Sequence, residues 1–190
     1  MTESLRAIVG QIFEPFVRKH GFHPVSTRSN EVTYKSTKVL ISIFYDDHRS
    51  FEVDVSVRKL TDVEPAYSLD EIFDVLKVPL SERPMGYSVL GPEDLKLLVI
   101  RITELLETYA CEFLDGNCEA WSRLLTQRAR DSAAVFASVK LKDAKVAAQA
   151  AWSSGNYAAV VKAFEGFVSL LSPSELAKLK FARRRINNEN

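Results

Sequence analysis

The chain has 190 residues, 46% hydrophobic and 26% charged, a composition that excludes wholesale disorder, collagen-like repeats and a disulfide-dense mini-protein. Lysine plus arginine equals aspartate plus glutamate at 25 each, so no overall charge marks the chain for nucleic acid or an acidic membrane. No stretch reaches the roughly 18 uninterrupted apolar residues of a membrane span, and the start carries no basic leader ahead of an apolar run, so a cytoplasmic address is expected.

The first element is a helix. Leu5, Ile8, Val9, Ile12, Phe13, Phe16 and Val17 recur at the three- and four-residue spacing of one helical face, and Gly21 is placed to end it in a left-handed cap. Pro15 falls inside that pattern, where it lacks a backbone donor and crowds the preceding turn. A kink near Gln11 or a break just before Pro15 is therefore expected.

The period then changes from 3.6 to 2. Val32 and Tyr34, then Val39, Ile41, Ile43 and Tyr45, then Phe51, Val53, Val55 and Val57 alternate with polar neighbours and point to one side of a sheet. Leu40 and Phe44 fall on the other side. Short connections predict an antiparallel meander of three or four strands, with "FHPVSTR" as an edge strand because Pro24 suits only an edge or a strand start.

Between two of these runs lies "DDHRS", residues 46 to 50, with Glu52 and Asp54 close behind. Asp46, Asp47 and His48 are the kind of residues that ligate metals or move protons. Yet aspartate and serine also favour turns for local hydrogen-bonding reasons, and no glycine allows a tight wrap around an ion. The reading is a turn, with no metal site, no catalytic set and no cofactor expected, and with Asp46, Asp47, Glu52 and Asp54 forming an acidic binding surface.

"SLDE" at 68 to 71 reads as a capping box that opens a helix through Leu76. Residues 78 to 92 carry three prolines and two glycines but also Met85, Tyr87, Val89 and Leu90, too apolar for a free linker; they should dock or add a short strand. Pro92, followed by acids, starts a long helix whose buried stripe runs from Leu95 to Phe113 and stops at Gly116. A further helix turns Trp121, Leu124 and Leu125 inward. Cys111 and Cys118 lack zinc-site spacing and read as reduced, core-packed side chains. The expected fold is α+β: residues 1–77 as the sheet unit, 78–92 as a docked connection, and 93–190 as an all-helical unit packed on it.

In the last third, one helix runs to Trp152, a turn spans Ser153–Gly155, a second helix runs from Tyr157 to Leu171, and another starts near Pro173. Ala148, Ala151, Gly155, Tyr157, Val160, Phe164, Phe167 and Pro173 occupy small, aromatic and terminal-proline positions, and residues 143–173 resemble one tetratricopeptide repeat. That resemblance implies a helical hairpin, since a single unit builds no solenoid. A second resemblance covers the whole chain. A helix ending in "HGF", a charged meander and "ETYACEFLDGNCEAWSRL" look like small uncharacterised bacterial cytosolic proteins, some similar to the immunity proteins of toxin systems.

Charge is unevenly distributed. Nine acids face three bases between Asp46 and Asp74, whereas nine bases face four acids from Lys140 onward. Phosphate loops, His-Glu-x-x-His, Cys-x-x-Cys and Gly-x-Ser-x-Gly motifs are all missing from the sequence. The expectation is a non-catalytic protein-binding module, an immunity or adaptor protein, that meets a basic protein on the acidic sheet surface. Two alternatives stand beside it. One is an enzyme with a site between sheet and helices using His48, Asp47 or His20; the other is nucleic-acid binding through the basic "KLKFARRR" helix.

Overall fold

The computed structural model describes residues 4–60 and 65–188. Asp62 and Glu64, two of the nine acids counted above, lie outside the described residues. The chain is α+β, with a helix, a five-stranded antiparallel sheet and then helices. It divides into two compact units, Met1–Arg128 and Ala129–Asn190.

In the first unit, α1 (Leu5–Lys19) is capped by Ser4, whose hydroxyl accepts from the Ala7 N–H. It buries Leu5, Ile8, Val9, Phe13, Phe16 and Val17 as its spacing requires. The expected break before Pro15 does not occur: the helix runs on to Lys19. Pro15 and Gln11 are both exposed, so the Gln11 carbonyl that proline leaves without its N–H partner is on the wet side of the helix. Gly21 follows with φ of 67°, the left-handed position that its missing Cβ makes accessible.

The sheet is a meander in chain order: β1 (His23–Thr27), β2 (Glu31–Lys35), β3 (Val39–Tyr45), β4 (Val53–Lys59) and β5 (Tyr67–Ser68). β1 is the edge that Pro24 requires, bulged between Pro24 and Ser26. The fifth strand adds to the three or four expected; it is only two residues long. Val32, Tyr34, Val39, Ile41, Ile43, Val53, Val55, Val57 and Tyr67 are buried on one side, and α1 packs against that side at β1 and β2.

Phe51 departs from the alternation. It was expected inward, but its φ is 54° and its side chain is 45% exposed. The left-handed backbone ends the pleat one residue before β4 and turns the ring outward. Residues of the 78–92 connection hydrogen-bond to the start of β4. Val53 N–H donates to the Tyr87 carbonyl and Val89 N–H to the Phe51 carbonyl, both at 2.8 Å, with Glu52 opposite Ser88.

α2 (Leu69–Leu76) begins with the predicted capping box: Ser68 accepts from Glu71 N–H while the Glu71 carboxylate accepts from Ser68 N–H at 2.9 Å. α3 (Pro92–Tyr109) is shorter than the predicted stripe. Ala110 interrupts it, and the one-turn α4 (Cys111–Leu114) carries Phe113 into the core before Gly116 at φ of 66°. Both cysteines are exposed, which corrects the expectation that they pack in the core.

α5 (Cys118–Ser153) is one continuous helix of 36 residues, and the division between the units falls within it. Its first turns bury Ala120, Trp121 and Leu124, whereas Leu125, expected inward, is 42% exposed. Trp121 donates its indole N–H to the Phe113 carbonyl at 3.2 Å, a buried donor satisfied as burial demands.

In the second unit, the later turns of α5, α6 (Tyr157–Phe164), a 3-10 turn (Glu165–Leu170) and α7 (Pro173–Asn188) enclose a smaller core of Ala148, Val160, Phe164, Leu171, Leu179 and Ala182. Asn156 caps α6. The predicted helix over Tyr157–Leu171 is α-helical only to Phe164 before it tightens.

Candidate functional site

The β3–β4 hairpin is closed by Asp46. Its carboxylate accepts from the N–H groups of His48 (3.2 Å), Arg49 (3.0 Å) and Ser50 (3.4 Å) and from the Ser50 hydroxyl (3.3 Å). These bonds, that from the His48 N–H foremost, hold the carboxyl below its ordinary range. Asp46 therefore shapes the turn and has little left to offer a partner.

The other three predicted acids separate. Asp47 is exposed, 3.5 Å from His48 Nε2, and it rims a pocket of about 460 Å³ with Tyr45, Phe51 and Leu90. Glu52 is exposed opposite Ser88. Asp54 is exposed on β4 directly across from Phe44 and lines a cleft of about 100 Å³ with Ser68, Asp70 and Tyr87. The Tyr87 hydroxyl donates to Asp70 at 3.0 Å, and burial, then the charge of Asp70, pushes its ionisation up, so it remains a donor throughout the neutral range. Asp70 and Tyr87 are the members of this cluster that local spacing did not reveal.

Strand register organises the outward side of the sheet into three rows. At the hairpin end, Glu31, Phe44 and Asp54 are paired in sequence across β2, β3 and β4. The middle row is all hydroxyl: Ser26, Thr33, Ser42, Ser56 and Ser68 face one another across all five strands. Thr33 and Ser42 hydrogen-bond at 3.0 Å within it. The third row runs His23, Lys35, Leu40 and Arg58. The face is thus anionic at one end and cationic at the other. Phe44, 39% exposed, is the large apolar side chain on the anionic row.

The acid–base candidates do not assemble. His20 ends α1 and packs at a tilt against Phe16 with ring centroids 4.7 Å apart, and its buried Nε2 has no hydrogen-bond partner among the described residues. His48 is exposed on the turn. No three His, Cys, Asp or Glu side chains converge to hold a metal ion among the described residues, and none of their helices is long and apolar enough to cross a membrane.

Within the second unit the basic helix carries an aromatic trio. Trp152, Tyr157 and Phe181 meet edge to face at 5.4–5.7 Å, with Lys178 over Trp152 and Arg185 over Phe181. Met1–Arg128 holds 20 acids and 15 bases, and Ala129–Asn190 five acids and ten bases. The formal charges of the two units are therefore equal and opposite.

No family model, curated protein or solved structure matches the chain.

Proposed function

We propose that the protein is a non-catalytic protein-binding module, of immunity or adaptor type, that receives a basic protein at the anionic end of its sheet. One observation carries this reading: an exposed aromatic, Phe44, is seated between the carboxylates of Glu31 and Asp54 in a single cross-strand row. An arginine or lysine arriving there can lie on the ring while pairing with a carboxylate, a contact worth roughly 0.5–2 kcal/mol. Asp47, Glu52 and Asp70 extend the field that steers it. Asp46 serves the surface indirectly by holding the turn on which Asp47 stands. The hairpin of residues 143–173 acts in this reading as a tetratricopeptide-like scaffold element. Two exposed thiols fit a reducing, cytoplasmic compartment.

Capture from a lysate of the native host should retain one dominant basic protein on the wild-type chain. Against that protein, Asp47→Lys with Asp54→Lys should slow association by about ten-fold at low salt. Phe44→Ala should instead speed dissociation. An unchanged association rate in the double charge reversal would remove this face from consideration.

A further inference from the structure

α5 contributes to the first core as far as Leu124 and to the second from Leu141 onward. Between them, every residue of 129–140 is exposed, more than three helical turns open to solvent all round. A helix in that position is expected to be polar on every side, because no packing offsets the cost of ordering it. This one is not. Seven of those twelve residues are alanine, valine or phenylalanine, and only Arg130, Asp131 and Lys140 are charged. Val135, Phe136 and Val139 are each more than half exposed, and all three are weaker helix formers than the alanines beside them.

The apolar residues form a stripe. Ser132, Val139 and Val146 follow one another at intervals of seven, and Val135 and Phe136 come three and four residues after Ser132. That is the spacing of a seam between two paired helices. The side chains that α5 gives to the second core, Leu141, Ala148 and Trp152, lie on the other side of the helix, so the seam is left over after the chain's own packing is complete.

Two observations identify the occupant as a second copy of α5. The helix runs Cys118–Ser153, so its midpoint falls between Val135 and Phe136, inside the stripe. A second α5 laid antiparallel about that point overlaps it along its whole length. Ser132 then stands level with Val139 of the second copy, and Val135 with its Phe136, so small meets branched and branched meets aromatic in a two-fold contact that closes on itself. The second observation is charge. α5 begins in the unit with 20 acids and 15 bases and ends in the unit with five acids and ten bases. Antiparallel pairing sets the acidic start of each helix beside the basic finish of the other, whereas parallel pairing would set like charge on like. We propose that the protein forms a two-fold dimer through an antiparallel pair of α5 helices, which covers Val135, Phe136 and Val139. The interface uses no residue of the proposed protein-binding row, so the two readings stand or fall separately.

Sedimentation velocity on the full chain tests the dimer. At about 100 μM the protein should sediment at twice the chain mass and should dissociate on dilution toward about 1 μM, for a dissociation constant on the order of 10 μM. Phe136→Lys, an exposed change whose fold is verified by circular dichroism, should weaken the dimer by about ten-fold or more, because the two-fold axis brings each new ammonium toward its own copy. Orientation is read separately from a nitroxide on the exposed Cys118 after Cys111→Ser. Spin–spin distances should centre near about 50 Å in the antiparallel dimer, against roughly 10–20 Å in a parallel one. A chain that remains monomeric at about 100 μM, a dimer indifferent to Phe136→Lys, or the short Cys118 distance would overturn the proposal. So would a monomer that floats with phosphatidylglycerol vesicles, which would make the stripe a membrane contact instead.

Discussion

Removing the Arg128 side chain should destabilise the first unit by about 2–3 kcal/mol, and the part that comes from Glu71, about 1 kcal/mol, should vanish in acid. Arg128 forks onto Glu71 with two bonds, Nε to Oε1 at 2.6 Å and Nη2 to Oε2 at 2.7 Å, and Nη2 also donates to the Ala66 carbonyl at 2.8 Å. Its guanidinium lies 3.6 Å from the Tyr67 ring centroid. Desolvated, each charge-assisted bond would be worth roughly 1.5–3 kcal/mol. The side chains of Arg128 and Glu71 remain 29% and 36% exposed, so water screens the pair and the fork is discounted to about 1 kcal/mol. The Ala66 bond and the cation over Tyr67 add about 1 and 0.5–1 kcal/mol.

The fork to Arg128, more than any other contact, lowers the ionisation of Glu71. A carboxylate with a depressed folded-state value contributes stability that is complete above its unfolded value, near 4.3, and is lost as pH falls through the folded value. The assay is urea unfolding of Arg128→Met in a Trp152→Phe background, so that Trp121, which packs on Tyr67, is the one remaining tryptophan. At about 3 °C per kcal/mol for this size, the melting temperature should fall by about 6–9 °C at neutral pH. Arg128→Lys should recover only part, because a lysine cannot make the fork. A loss below about 0.5 kcal/mol, or one equally large near pH 7 and pH 3, would refute the reasoning.

Two further outcomes rest on separate parts of the chain. Gly116→Ala should cost about 1–2 kcal/mol by urea midpoint, because Gly116 has φ of 66° and a Cβ there would meet Lys38 Cβ at 2.9 Å. Glu175 accepts from Ser172 N–H at 2.7 Å and pairs with Lys145 at 3.0 Å, which together depress its ionisation to about 2, the Ser172 backbone contributing most. Its contribution is therefore present above the ordinary carboxylate range and fades as pH drops toward about 2. Glu175→Gln should flatten that acid limb when the second unit is followed through Trp152 fluorescence.

The elements were legible wherever a local rule was sufficient. Alternation located β2, β3 and β4; the Ser68–Glu71 box located the start of α2, and Pro92 that of α3. Local rules failed where a distant partner decided the outcome. β5 is two residues, Tyr67 and Ser68, with no alternation to read; it exists because Val57 and Ser56 pair with it across a long connection. Phe51 fits the alternation of β4 by residue type, but the Val89 N–H takes its carbonyl and the turn built by Asp46 fixes the backbone ahead of it. An aromatic thus ends in the left-handed region, at a cost of roughly 1 kcal/mol, because its neighbours over-determine it.

The candidate sites depended on register to an even greater degree. Each of Ser26, Thr33, Ser42, Ser56 and Ser68 is unremarkable on its own strand, and a slip of one residue would send its side chain into the core. Pairing alone brings the five into one row and places Phe44 between Glu31 and Asp54. That also explains why an acid count over residues 46–74 identified the negative region but mixed two kinds of carboxylate. Asp46 is consumed by backbone N–H groups, while Asp54 faces outward beside Tyr87 and Asp70. A carboxylate is available to a partner only when its own chain has not already satisfied it, and that condition depends on contacts made after folding. Charge reversal at Asp46 should accordingly unsettle the hairpin, whereas the same change at Asp54 should leave stability intact and act on binding alone.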